Sequence, residues 1–184
     1  MPESVAPTTR HNAMTNPTWP DELYEALLAA DIKQVGYVPD AGHRRLIERC
    51  HANPQLATTS LTTEEEGIGL MVGAYLGGQR GVLLMQSSGV GNCINMLSLT
   101  AECRIPLVML VTMRGDWGEF VPWQVWMGQG TPPALEAMGV LVYRVDERDQ
   151  VVETVRACTA LAFNARRQVA VLIGQKVIGT KQFK

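Results

Sequence analysis

Three consecutive glutamates, Glu64, Glu65 and Glu66, open a run that then carries no charge: Gly67-Ile68-Gly69-Leu70-Met71-Val72-Gly73-Ala74-Tyr75. Behind Thr62 and Thr63, carboxylates at this position read as a capping box and as favourable charge at the positive end of a helix dipole. The uncharged helix that follows must be buried nearly all round. Successive residues turn by about 100° around a helix, so only one of the three glutamates points along the buried side. A carboxyl group facing a protein or cofactor interior has a perturbed proton affinity and is a candidate for acid–base work.

The second chemically suggestive segment is Ser87-Ser88-Gly89-Val90-Gly91-Asn92, which follows an apolar run and opens a helical one. Backbone N–H groups in such a turn cradle anions. A dinucleotide fingerprint is incomplete, because its third glycine position is Ile94, and no Gly-Lys-Ser/Thr follows for a Walker loop. A plain strand-to-helix turn is the alternative. The segment is not a nucleophile elbow either: Met85-Gln86-Ser87-Ser88-Gly89 lacks the first glycine, and all three histidines lie in the first third of the chain. Asp40 and His43 offer proton transfer or substrate binding, against an Asx-turn and an ordinary surface histidine. Arg114 can pair an anion or serve structurally. The stretch Trp117 to Gly128 carries three of the four tryptophans, suited to an apolar ligand or to packing against a partner chain.

These segments need a scaffold that brings them together. Short β-branched runs at Gln34 to Pro39, Leu56 to Ser60, Val82 to Gln86, Leu107 to Thr112, Val140 to Val145 and Val169 to Ile173 read as strands. A first helix starts behind the cap Thr18, with Pro20, Asp21 and Glu22 in its first turn. Further helices are expected at Arg44 to Ala52, Glu64 to Gly77, Asn92 to Cys103, Pro133 to Met138 and Arg148 to Ala165. Alternation of this kind predicts an α/β fold: three layers, with a six-stranded, mostly parallel sheet and helices on both faces. Ligands then bind beyond the carboxyl ends of the strands, where VPDAGH, TTEEEG, QSSGVGN and TMRGDWGEF converge. Residues 1–17 are polar and aperiodic and are expected to form a flexible arm, leaving residues 18–184 as a single domain.

Composition narrows the function. The chain has 184 residues, 46% hydrophobic and 18% charged, with a net charge of −2, which suits a compact domain. Its basic residues are scattered, so nucleic acid is not an expected partner. No apolar run spans a bilayer and no export signal is present, so the expected location is the cytoplasm. The four cysteines form no CxxC pair and read as inert thiols.

Taken together, Val-Pro-Asp, Glu-Glu-Gly-Ile-Gly-Leu-Met-Val-Gly-Ala-Tyr, Ser-Gly-Val-Gly-Asn and Met-Arg-Gly, in that order, resemble the pyrimidine-binding (Pyr) domain of thiamine-diphosphate-dependent 2-oxo acid decarboxylases, over about residues 20–175. The likeness is to sulfopyruvate decarboxylase alpha subunits and to the matching part of phosphonopyruvate decarboxylase. In that family the catalytic glutamate stands about ten residues before the helix tyrosine, which selects Glu65 relative to Tyr75. The resemblance implies that Glu65 hydrogen-bonds the cofactor aminopyrimidine, with Ser88, Gly89 and Asn92 nearby. It places Asp40 and His43 in the proton-transfer or substrate loop, and Arg114 and Gln124 near the substrate. It further implies thiamine diphosphate and Mg²⁺ as cofactors. The Gly-Asp-Gly motif that holds the diphosphate and Mg²⁺ is absent here, since Gly115-Asp116 continues with Trp117. A beta subunit carrying that motif, self-association through Pyr domains and activity only in the complex are therefore expected. A carboligase subunit using the same cofactor, or a non-catalytic module of the same fold, remain the alternatives.

Overall fold

The computed structural model describes residues 18–179, so the expected arm at 1–17 lies outside the described residues. The elements run α1 (Trp19–Ala29), β1 (Ile32–Tyr37), α2 (Arg44–Ala52), β2 (Ala57–Ser60), α3 (Glu64–Leu76), β3 (Arg80–Gln86), α4 (Ser87–Cys93), α5 (Leu97–Glu102), β4 (Leu107–Thr112), α6 (Gln124–Ala137), β5 (Leu141–Val145), α7 (Val151–Ala165), β6 (Gln168–Ile173) and α8 (Gln175–Ile178). All six strands pair in parallel, in the order β2-β1-β3-β4-β6-β5.

The central strands β4 and β6 are buried at every position. Their side chains alternate between two cores, as the period of two requires. Val108, Leu110, Val169 and Val171 pack with Leu23, Leu27, Leu46 and Val155 from α1, α2 and α7. Met109, Val111, Ala170 and Leu172 pack with Ile68, Met71, Val90, Leu97 and Leu135 from α3 to α6. Each fully buried Leu or Val contributes about 1.5–3 kcal/mol over its exposed state, so the two cores hold both helical layers to the sheet.

Local chemistry sets the ends of the elements. Thr18 caps α1 as expected: its hydroxyl donates to Asp21 at 2.6 Å and its N–H donates to the same carboxylate. At α3 the expected box does not form: Thr63, the residue at the cap, makes no side-chain cap bond, and Glu66 accepts at 2.8 Å from the N–H of Thr62, one residue before the cap. The expected helix at Asn92 to Cys103 is broken into α4 and α5 around Ile94 to Met96. The expectation that a helix starts at Pro133 also changes, because α6 begins nine residues earlier and runs through Pro132 and Pro133. Two prolines remove two helical N–H donors. The Thr131 hydroxyl restores one bond to a carbonyl of the preceding turn, donating to Met127 at 2.7 Å.

The expected all-round burial of α3 is not what the chain alone shows. Gly67, Ile68 and Met71 face the sheet, whereas Gly69, Gly73 and Leu76 are exposed. A Cβ at Gly69 or Gly73 would meet open space. An uncharged sequence thus leaves one apolar helix face uncovered in the single chain. Among the described residues no helix is long and apolar enough to cross a membrane.

Candidate active site at the carboxyl edge of the sheet

The loops singled out above follow the carboxyl ends of the neighbouring strands β2, β1, β3 and β4, where Glu64 meets Asn92 and Asp40 meets Gln86 and Thr112. Polar residues at the last positions of β3 and β4 hold the loops together. Gln86, ending β3, donates to Asp40 at 3.1 Å and accepts from Ser88 at 2.8 Å and from Gln124 at 3.3 Å. Thr112, ending β4, donates to the other oxygen of Asp40 at 2.5 Å. The Gly42 N–H donates to that oxygen at 3.0 Å, so Asp40 does form an Asx-turn. The Asp40 carboxylate therefore has three donors from within the chain. The Gln124 side chain is buried with Oε1 unpartnered among the described residues, while its Nε2 reaches Gln86. Gln86 and Thr112 carry this network, and neither was singled out from sequence. A polar residue terminating a buried apolar strand was the available signal.

The three glutamates take three different roles. Glu64 is buried and accepts a 2.8 Å hydrogen bond from Asn92. Gly89 packs directly on it, and a Cβ at that position would collide with the Glu64 carboxyl group. Glu66 faces back to Thr62. Glu65 is exposed and makes no hydrogen bond or ion pair among the described residues. It lies close enough to Cys93 that burial first, then the Glu64 and Glu65 charges, push the Cys93 thiol up to about 12. The Gly-rich segment itself is helix α4 rather than an open loop. Its glycine at 89 admits a carboxylate of the same chain, and Ser88 and Asn92 bond Gln86 and Glu64 respectively.

His43 is not at the surface. Only 1% of it is exposed, and its Nε2 lies 3.0 Å from the Leu110 carbonyl, which makes Nε2 the protonated nitrogen. Burial holds its proton affinity below the ordinary histidine range despite the nearby Asp40. An imidazole in this position is neutral at pH 7 and ties the start of α2 to β4. Nδ1 has no partner among the described residues.

Arg114 is committed within its own loop. Its Nε and Nη2 grip both carboxylate oxygens of Glu119, with Nε–Oε2 at 2.6 Å. Its cation sits 5.5 Å from the Phe120 ring centre. Glu119 also accepts from the backbone N–H groups of Gly115 and Val121 and from Gln175. The Arg114 guanidinium is the largest of the influences that bring the Glu119 carboxyl down to about 2. Nη1 makes no hydrogen bond among the described residues, and Arg114 lines a cleft of about 120 Å³ with Asp40, Gly42 and Gln175. The staple leaves Trp117, Trp123 and Trp126 exposed, the last at 84%. Cys50, Cys93 and Cys158 are buried and Cys103 is exposed. No cluster of three or more His, Cys, Asp or Glu residues that could hold a metal ion occurs among the described residues.

No protein-family model matches the chain. It is 33% identical over 154 residues to the sulfopyruvate decarboxylase subunit alpha of Methanococcus maripaludis, covering 83% of this chain and 92% of that protein. The subunit alpha of Methanothermobacter thermautotrophicus is 32% identical over the same length, with 83% and 93% covered. A phosphonopyruvate decarboxylase of Streptomyces viridochromogenes is 36% identical over 99 residues, 53% of this chain and 25% of that one. In solved structures, a 2-oxoglutarate:ferredoxin oxidoreductase from Magnetococcus marinus superimposes with a TM-score of 0.69 at 12% identity, over 88% of this chain and 29% of that chain. That superposition bears on the fold.

Proposed function

This chain belongs to the family of sulfopyruvate decarboxylase alpha subunits, and on that premise we propose that it is the pyrimidine-binding subunit of a two-subunit thiamine-diphosphate enzyme that decarboxylates a small 2-oxo acid. The observation that carries the reading is the division of labour between adjacent carboxylates. The chain ties Glu64 down with Asn92 and leaves the exposed Glu65 without a hydrogen-bond or ion-pair partner among the described residues. A carboxyl group free of internal bonds is available to a ring nitrogen brought in from outside.

The residues present fit the pyrimidine end of the cofactor. Glu65 would hold the proton shared with the pyrimidine ring, and Glu64 with Asn92 and Gly89 would fix the helix start that aims it. The face of α3 beyond Glu65, bare at Gly69 and Gly73, admits close approach of a second surface. When bound, the cofactor supplies the electron sink for decarboxylation. The diphosphate and Mg²⁺ are assigned to a beta subunit bearing a Gly-Asp-Gly motif, which this sequence lacks.

Toward the substrate, Arg114 Nη1 is the available donor for a 2-oxo acid carboxylate. Its charge is already balanced by Glu119, so a second anionic group on the substrate would draw its cation from the partner chain. Asp40 and His43 act by positioning: Asp40 gathers the ends of β3 and β4, and His43 braces the loop from beneath. The exposed face of α3 and the tryptophans of residues 117–126 are assigned to subunit contacts.

The test is calorimetric titration of thiamine diphosphate and Mg²⁺ into the chain alone and into the chain purified with its neighbouring-gene product. Binding in the mixture alone, followed by CO₂ release from a 2-oxo acid, supports the proposal. No binding in either preparation overturns it in favour of a non-catalytic module.

A further inference from the structure

Four helices end in the same reversal at the amino-terminal edge of the sheet, the edge opposite the candidate site. After α3 and α6 the left-handed residue is glycine, Gly78 at φ 79° and Gly139 at φ 74°. The turns close with Gln79 N–H to Ala74 O at 2.8 Å and Val140 N–H to Leu135 O at 3.1 Å. After α5 and α7 the equivalent closing bonds are Ile105 N–H to Thr100 O and Arg167 N–H to Ala162 O, both 3.0 Å. There the left-handed residues are Arg104 at φ 51° and Arg166 at φ 52°. A residue with a Cβ is strained in this conformation, and glycine relieves the strain at two turns of the same fold.

Both strained arginines, together with Arg167, line one cleft of about 420 Å³. The cleft lies between the ends of α5 and α7 and the start of β6. Its floor holds the buried pair Thr100 and Gln168, whose side chains bond at 2.6 Å. None of the three guanidinium groups has an ion-pair or hydrogen-bond partner among the described residues. Glu102 and Glu136, in the last turns of α5 and α6, make no ion pair with them. A cation near a helix carboxyl end offsets the helix dipole. That effect explains single charges at separate ends. It does not explain three uncompensated cations on one concave surface, two of them placed where glycine fits better.

We propose that this cleft binds a small polyvalent anion, such as a phosphorylated or polycarboxylate metabolite. The arginines supply planar multidentate donors above a floor in which Thr100 and Gln168 satisfy each other, with Leu97 and Met138 as further partners.

The test is titration of the purified full chain with pyrophosphate and, separately, with citrate, against sodium chloride at matched ionic strength. The variants are Arg104→Asn/Arg166→Asn, since Asn tolerates the left-handed backbone, and Arg167→Gln, which involves no strained position. Arg156→Asn on the exposed side of α7 is the control. The expected result is saturable 1:1 binding of at least one anion, weakened at least tenfold by the double variant and several-fold by Arg167→Gln, with Arg156→Asn unchanged. Preference between the two anions distinguishes a phosphate source from a carboxylate one. Equal responses to chloride, or unchanged affinity in Arg167→Gln and in the double variant, would overturn the proposal.

Discussion

Asn92 on α4 donates a 2.8 Å hydrogen bond to the buried carboxylate of Glu64 on α3, and the adjacent Glu65 is left facing outward. Two neighbouring residues of the same type are thereby separated into a buried anchor and an exposed carboxyl group without a partner among the described residues.

The separation predicts different outcomes for the two amides. In the assembled complex, Glu65→Gln should lower kcat by roughly 10²–10⁴-fold at unchanged assembly. Glu64→Gln keeps an acceptor for Asn92 and should retain most of the activity. Steady-state rates together with light-scattering masses check this, and equal losses in the two variants would contradict the assignment.

Gly89→Ala places a methyl group against the Glu64 carboxyl. Overpacking of this kind costs about 1–3 kcal/mol. The double variant Gly89→Ala/Glu64→Ala should recover part of the loss, because the colliding atoms are gone. Chemical denaturation of the four members of the cycle reads the coupling, and simple additivity would show that the two residues do not meet.

The Glu119 carboxyl, lowered to about 2 chiefly by Arg114, makes stability depend on acid. Its folded proton affinity lies below the unfolded value of about 4.3. The stabilisation is therefore complete above that value and is lost as pH falls from there toward 2. Glu119→Gln leaves Arg114 buried without its counter-charge and should cost about 3–5 kcal/mol at pH 7. Fluorescence of Trp117, Trp123 and Trp126 during acid titration should report the loosening of this loop in the native chain.

His43 acts in the same direction at a higher pH. Burial lowers its folded proton affinity below the unfolded value of about 6.5, so the unfolded chain gains a proton that the folded one resists. Stability contributed by the neutral ring is present above about pH 6.5 and declines below it. Denaturant midpoints at pH 7.5 and 5.5 should differ more in the native chain than in His43→Gln. A pH–rate profile that lost a limb in His43→Gln at unchanged stability would instead indicate direct proton transfer.

The alternation of strand and helix was legible in the amino-acid order because burial imposes its own period on each element. The run Leu107 to Thr112 is buried along its whole length and appears as such, and α2 spans Arg44–Ala52 as its pattern indicates. The convergence of the loops followed from parallel strands alone. Partners at the site did not, because contacts there join residues far apart in the chain. Thr112 meets Asp40 across 72 positions and Asn92 meets Glu64 across 28, and no local pattern encodes such meetings. Sequence therefore determined the layers, the edge where these loops gather and the residue types available there. Tertiary structure decided that Glu64 is held and Glu65 released, that Arg114 spends its charge on Glu119, and that His43 faces the core, since each depends on which side chains the fold brings within hydrogen-bond reach.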